Sequence, residues 1–407
     1  MKSITTILLI FISLFLLSCN NNSVETDPIE TYERGEIVEI ISEKEVSLEE
    51  LENLISTFAG SNDFDIELKN DIKYYSVLYR TIDHTGNPTD ASGLFVIPST
   101  SGNFFPLISL HHGTQSKKNN VGSINPLSSF DALLSGALGY VAVSADMLGL
   151  GYSALVHPYH IADVNANTVI DFIRAVKKFA NEKSIALNGD LFLGGYSQGG
   201  YTTMAVHKKM ETELFNEFKV TASAPMAGAH DLMGTAQYIV SNDNYDKPSF
   251  LAFLTHAYST VYGWNNLSDF FQAPYHLTIP DLFNGSLTTD EIDDHLPGKL
   301  SELFTPSLLD AIKNGTESLM TTVLINNSLL NWGPQAPVLI VHGNADTFVP
   351  YQNAITAKEN WEANGATNVQ LITIDGGNHY SSVLPAIMHA INFFENYRSD
   401  LRIAINY

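Results

Sequence analysis

The sequence predicts an α/β fold: a mostly parallel central sheet with helices on both faces and an inserted, mainly helical cap. Three observations predict it. Short apolar runs bounded by glycines recur without polar alternation, as strands buried on both faces require. Amphipathic helical stretches separate those runs, and strand–helix alternation builds an open sheet covered on both sides. A stretch of about 100 residues past the middle breaks that rhythm. The 407 residues, 44% of them hydrophobic and 16% charged, provide an ample core.

At the N-terminus, Met1-Lys2 precede an uncharged run from Ile4 to Leu17, followed by Ser18-Cys19. The run is too short to span a bilayer as a helix but fits the apolar region of a secretory signal peptide. Leu16-Leu17-Ser18-Cys19 resembles the bacterial lipobox. That resemblance implies removal of residues 1–18 and lipid attachment at Cys19, with two or more acyl chains giving stable membrane anchoring. The plainer alternative is an ordinary signal peptide with an incidental cysteine. Against it, the only cysteine of the chain falls where the apolar run ends. Asn20 follows in place of Asp, which by resemblance to Gram-negative lipoproteins implies the outer membrane. A single cysteine builds neither a disulfide framework nor a thiolate metal cluster.

Composition excludes two classes. With Asp+Glu at 44 and Lys+Arg at 21, the net charge is −23. Such a surface repels phosphate backbones, so nucleic acid is not an expected partner. The low charged fraction and 11% aromatic content exclude global disorder.

Along the chain, residues 19–31 read as a polar tether. The first part of the core spans 32–231 and begins with a Glu-rich extension, weakly helical around Leu48, Leu51, Leu54 and Ile55. Strands are predicted at Tyr74–Ile82 and Leu94–Ile97, separated by the turn residues Gly86, Asn87 and Pro88. Further strands fall at Leu107–Leu110, Tyr140–Ser144, Leu191–Leu193, Val220–Ala224, Val338–Val341 and Val369–Ile374. Helices are predicted at Ala162–Asn181, Thr202–Met210 and Ser382–Tyr397. In the first of these, Val169, Ile170, Ile173, Val176 and Phe179 form one apolar face. The cap spans 232–333, and the core resumes over 334–407. Its aromatic segments Phe250–Trp264 and Phe270–Phe283 either line an acyl or aryl pocket or form the cap's own core.

Gly195-Tyr196-Ser197-Gln198-Gly199 follows the strand Leu191–Leu193 and opens a helix. This is G-x-S-x-G in the strand–turn–helix context that the motif requires. A serine on so sharp a turn is strained, and its neighbours two residues away must lack bulk. A serine hydroxyl also needs a base, and the base an orienting carboxylate, in the order Ser, acid, His for this motif. Asp346 and His379 supply them, each in a loop after its own strand. Asp146 stands on the wrong side of Ser197, and Asp375 lies only four residues before His379, so both are poorer choices. Two backbone N–H groups should hold the oxyanion: that of Gln198 and, from the loop His111-His112-Gly113-Thr114, that of Thr114, with the neighbouring Gly113 N–H as the alternative one residue earlier.

From about residue 74 onward the chain resembles an α/β-hydrolase, and more narrowly the secreted bacterial and fungal lipases and esterases with a helical cap. Asp146-Met147-Leu148-Gly149-Leu150-Gly151, His157-Pro158-Tyr159 and the helix with Asp171 and Arg174 carry the narrower likeness. The cap sequence departs from it. The resemblance implies a serine carboxylic-ester hydrolase (esterase or lipase) acting through an acyl-enzyme on a neutral ester with a hydrophobic acyl or aryl group.

Two other classes remain as alternatives: a peptidase of the same fold, and a non-catalytic surface lipoprotein binding lipid or glycan. No cofactor is expected. No metal is expected either, since the 13 histidines include no H-E-x-x-H and no carboxylate-rich calcium loop is present. Gly149-Leu150-Gly151 lacks a following Gly-Lys-Ser/Thr, so it reads as a tight turn rather than a phosphate cradle.

Overall fold

The computed structural model describes residues 32–59, 67–100 and 104–400. Nine strands run through them: β1 (Ile37–Val46), β2 (Ile72–Ile82), β3 (Pro88–Pro98), β4 (Phe105–His111), β5 (Val141–Ala145), β6 (Leu187–Tyr196), β7 (Ala222–Met226), β8 (Val338–Gly343) and β9 (Val369–Ile374). They form one sheet in the order β1-β2-β3-β5-β4-β6-β7-β8-β9. The first three strands pair antiparallel, as does β3 with β5. From β5 across to β9 every pairing is parallel. The carboxyl ends of β4, β6, β8 and β9 therefore share one edge, where ligands bind in open α/β sheets.

Period-two alternation explains why the strand runs are apolar throughout. On β6, Leu191 and Leu193 face one core while Phe192 faces the other; on β8, Val338 and Ile340 oppose Leu339 and Val341. Each face is covered. The first core receives α3 (Ala162–Glu182), α4 (Gln198–Thr212) and α12 (Gln352–Ala363), the second α2 (Phe130–Ala137) and α13 (Val383–Glu395). On α3, the apolar face named above is buried. Asp171 of that helix is also buried, taking Arg34, Arg174 and Thr81 as donors.

Between β7 and β8 lie seven helices: α5 (Leu232–Val240), α6 (Pro248–Val261), α7 (Tyr275–Leu282), α8 (Thr289–Asp293), α9 (Leu300–Leu303), α10 (Pro306–Asn314) and α11 (Leu319–Asn327). Phe253, Phe271, Phe283 and Phe304 are buried among them. Three differences from the sequence reading stand out. The strand β1 arises in the Glu-rich extension, ahead of α1 (Leu48–Ala59). As an edge strand paired only with β2 it needs one neighbour and little burial, so Glu39, Glu43 and Glu45 are tolerated. The strand β3 begins at Pro88 rather than Leu94, because its first half, Pro88–Gly93, pairs with Ile82–Val77 in a hairpin. The helix α2 is short, and α12 buries Asn353, Ala354, Ala357 and Trp361, with little large apolar surface among them, so neither gave a separate signal.

Residues 1–31, and with them the expected signal peptide, Cys19 and the expected tether, lie outside the described residues. Among the described residues no helix is long and apolar enough to cross a membrane.

Candidate active site

The strand β6 ends at Tyr196 and α4 begins at Gln198, leaving Ser197 alone between them at φ 59°, ψ −119°. A non-glycine residue there costs on the order of 1–3 kcal/mol and persists only where its surroundings over-determine it. They do so here. Ser197 N–H donates to Met226 on β7 at 2.9 Å, and Tyr201 N–H donates to the Ser197 carbonyl at 3.1 Å. Gly199 packs so closely on the end of β4 that a Cβ would stand 1.8 Å from the His111 carbonyl oxygen.

His379, in the loop after β9, places Nε2 2.9 Å from Ser197 Oγ. Its Nδ1 lies 2.6 Å from Asp346 Oδ2, in the loop after β8. With Nδ1–H donating to the carboxylate, Nε2 is free to accept the serine proton. Asp346 accepts more than this one bond. His342 Nε2 donates to Oδ2 at 3.2 Å, and the Phe348 and Val349 amides donate to Oδ1 at 2.9 and 3.0 Å. Burial pushes the Asp346 carboxyl up, but the hydrogen bonds and charges of His342 and His379 outweigh it and hold it well below the usual carboxylate range. His342 escaped the sequence reading. Its only signal is the i, i+4 spacing to Asp346 across a turn, which many loops share.

The loop after β4 lies against this turn: the Cβ position of Gly113 is 3.9 Å from Ser197 Cβ. Thr114 follows, its hydroxyl 2.8 Å from Tyr159 OH. Among the described residues the backbone N–H groups of Gln198 and Thr114 have no acceptor within the chain. The Gln198 side chain is buried, and its amide nitrogen donates to His157 Nε2 at 2.6 Å while His157 Nδ1–H donates to the Leu148 carbonyl at 2.8 Å. Gly149, at φ +83°, makes that approach possible, since a Cβ would stand 2.1 Å from His157 N. The Gly149–Gly151 turn thus seats His157 beneath the residue that follows the serine.

The sequence matches the prolyl oligopeptidase family over residues 127–277 and the secretory lipase family over residues 308–400. Solved structures resemble nearly the whole chain. A candidate hydrolase from Legionella pneumophila subsp. pneumophila str. Philadelphia 1 is 27% identical with a TM-score of 0.82, the match covering 89% of this chain and 98% of that one. The rice cell wall degrading esterase LipA from Xanthomonas oryzae is 25% identical with a TM-score of 0.81, covering 90% of this chain and 100% of its own. The chain has the α/β-hydrolase fold. Candida antarctica lipase A in its closed state shares that fold at 16% identity and a TM-score of 0.66, over 90% of this chain and 84% of its own. No curated protein matches the sequence.

In this α/β-hydrolase the rival carboxylates are engaged elsewhere. Asp146 is buried and accepts from the hydroxyls of Ser92 and Ser123 and from the Ser123 amide, tying the loop after β5 to β3. Asp375 takes the side-chain amide of Asn344 at the surface. His111 bridges Ser109 and Thr203 inside the sheet, while His112 turns the other way. Among the described residues no three His, Cys, Asp or Glu side chains gather so as to hold a metal ion.

Two cavities flank the hydrolase turn. The one that includes Ser197 is small, about 50 Å³, and lies between Tyr159, His160, Phe348 and the helices α5 and α6, with Leu232, Ala236 and Leu254 in its wall. A larger one of about 400 Å³ lies on the opposite face of the sheet, between α2 and α13. Only the first contains the nucleophile candidate. Phe250 lines it and Phe253 is buried beside it, so the aromatic residues of α6 serve both as pocket wall and as packing.

Proposed function

We propose that this hydrolase cleaves neutral carboxylic esters with a hydrophobic acyl or aryl group, through an acyl-enzyme on Ser197. The continuous hydrogen-bond chain Ser197–His379–Asp346 carries the reading. Ser197 Oγ attacks the ester carbonyl as its proton passes to His379 Nε2, and Asp346 holds the imidazole tautomer and balances the imidazolium. The amides of Gln198 and Thr114 donate to the oxyanion. The imidazolium returns its proton to the departing alkoxide as the carbonyl re-forms, leaving the acyl-serine. Water, deprotonated by His379, then attacks the acyl carbon and releases the acid and the free serine. The segment 232–333 acts as a cap over the pocket. The secretory lipase likeness supports export, and lipid attachment at Cys19 would hold the enzyme on the outer membrane.

The match to the prolyl oligopeptidase family over residues 127–277 favours a second reading, a peptidase. That stretch contains the Ser197 turn and most of the pocket wall but neither Asp346 nor His379, so it fits a shared hydrolase scaffold as well as a shared substrate. Hydrolysis of p-nitrophenyl esters from acetate to palmitate by the full chain in detergent, beside its Ser197→Ala variant, tests both. Serine-dependent ester turnover is the expected result. Ester hydrolysis retained by Ser197→Ala overturns the proposal, and dipeptide amides cleaved faster than matched esters make it a peptidase.

A further inference from the structure

The His112 ring makes two hydrogen bonds, and both partners are acceptors. Its Nδ1 lies 2.7 Å from the Gly113 carbonyl oxygen and its Nε2 lies 3.0 Å from the Asp146 carbonyl oxygen. A carbonyl cannot donate, so each ring nitrogen must carry a hydrogen, which only the imidazolium does. We infer that His112 is held as an imidazolium that ties the Gly113–Thr114 peptide to the chain at Asp146 and so positions the Thr114 N–H. The inference rests on the reading of Ser197 as the nucleophile and gives that reading a positioning residue.

The surroundings suit a cation. The ring is half-buried, and two carboxyl groups feel its charge: Asp131 at the start of α2 and Asp146 after β5. Burial pushes both carboxyls up, while hydrogen bonds and the His112 charge draw them back. Every partner of the Asp146 carboxylate is a donor, as its ionised form requires. The other titratable neighbours are His111 on β4 and His157 ahead of α3. Burial first, and then the His112 charge, lowers them to about 3 and about 4, so they stay neutral and do not compete for the proton.

The positioning follows from peptide geometry. In a trans peptide the carbonyl of Gly113 and the N–H of Thr114 point in opposite directions within one plane. Fixing the carbonyl on the His112 ring therefore fixes the direction of the amide, and the Thr114 hydroxyl on Tyr159 fixes the far side. Oxyanion donors act because they are already oriented when charge develops. A Gly113–Thr114 peptide free to rotate would lose that orientation without any loss of substrate binding.

The test uses the full chain in detergent micelles, labelled with 15N-histidine. Imidazole 15N spectra at pH 7, with the His112 signals assigned by their loss in His112→Gln, should show hydrogen on both ring nitrogens. On p-nitrophenyl butyrate, His112→Gln should lower kcat on the order of 100-fold, as loss of an oxyanion donor does, with KM within about threefold. Asp131→Asn keeps the ring but removes a counter-charge. It should lower both the share of doubly protonated His112 rings seen at pH 7 and, in step, kcat on p-nitrophenyl butyrate, which serves if His112→Gln does not fold. A singly protonated ring at pH 7 overturns the inference. So does a folded His112→Gln with wild-type kcat. A doubly protonated ring in a chain that hydrolyses no ester would instead uphold the clamp and remove the esterase reading.

Discussion

The side-chain amide of Gln198 donates to Nε2 of His157 at 2.6 Å, linking the residue after the nucleophile to the loop that follows β5. Both groups are buried, and His157, lowered to about 4 by burial, accepts as a neutral ring. Removing one partner strands the other. His157→Leu should cost about 1–3 kcal/mol of stability, the penalty for an unsatisfied buried group. Because the loosened side chain carries the Gln198 amide, kcat should fall about tenfold with KM little changed, since the oxyanion contact forms only in the transition state. The double variant with Gln198→Leu should recover part of the stability, because neither polar partner remains. Thermal melts and ester kinetics on the three variants check this. Additive losses would show the pair to be uncoupled.

Four donors converge on Asp346, two of them histidines. Asp346→Asn keeps the shape but presents an amide where His379 Nδ1–H needs an acceptor. It should lower kcat on the order of 10⁴-fold, as a wrong tautomer does. The depressed carboxyl also links folding to pH. Its ionised form is favoured by the fold, so its stabilisation is present above about pH 4 and lost as pH falls further. Wild type and Asp346→Asn should therefore converge in melting temperature toward acid. His342→Phe, which removes one donor of the four, should cost about tenfold in kcat while His379 stays in place.

A second acid effect has the same sign and a higher range. His111, His160 and His230 are lowered to about 3, and His157 and His256 to about 4, each by burial. The unfolded chain takes up protons on these rings near pH 6.5, whereas the folded chain does not. Between pH 6.5 and about 4 the unfolded state binds more protons, so stability falls on acidification, by up to about 1.4 kcal/mol per pH unit for each ring. Calorimetry at pH 7, 6 and 5 should show a steep drop in Tm. A pH-independent Tm would mean that these rings take up protons in the fold as readily as in the unfolded chain.

Much of the scaffold was legible because burial on both faces writes itself into composition. Val338–Val341, buried throughout, opens β8 where predicted for that reason, and Ser197, Asp346 and His379 each follow a strand that the pattern disclosed. Where a residue's role depends on contact rather than pattern, the sequence was silent. His342 looks like the end of an apolar strand until its ring is seen on Asp346. His112 meets the Asp146 carbonyl across 34 residues. The strand β1 hid in a Glu-rich run because an edge strand needs little apolar surface.

The size of the pocket beside Ser197 sets the last expectation. Its volume of about 50 Å³ is walled by Leu232, Ala236 and Leu254 and closed by Phe348. Sites for drug-sized ligands run to roughly 300–1,000 Å³, so this one suits a short acyl group. Each methylene that fits contributes about 0.8 kcal/mol, close to fourfold in kcat/KM, until the chain meets the wall. The optimum should fall among the shortest p-nitrophenyl esters, with steep losses toward palmitate. Leu254→Ala opens the wall at some expense in stability, on the order of 2–5 kcal/mol, and should move the optimum to longer chains. Ala236→Phe should move it toward acetate. Ser197→Ala serves as the blank throughout. A wild-type profile that rises to palmitate would mean that the chain leaves this cavity and lies along another surface, and Leu254→Ala would then leave the optimum where it was.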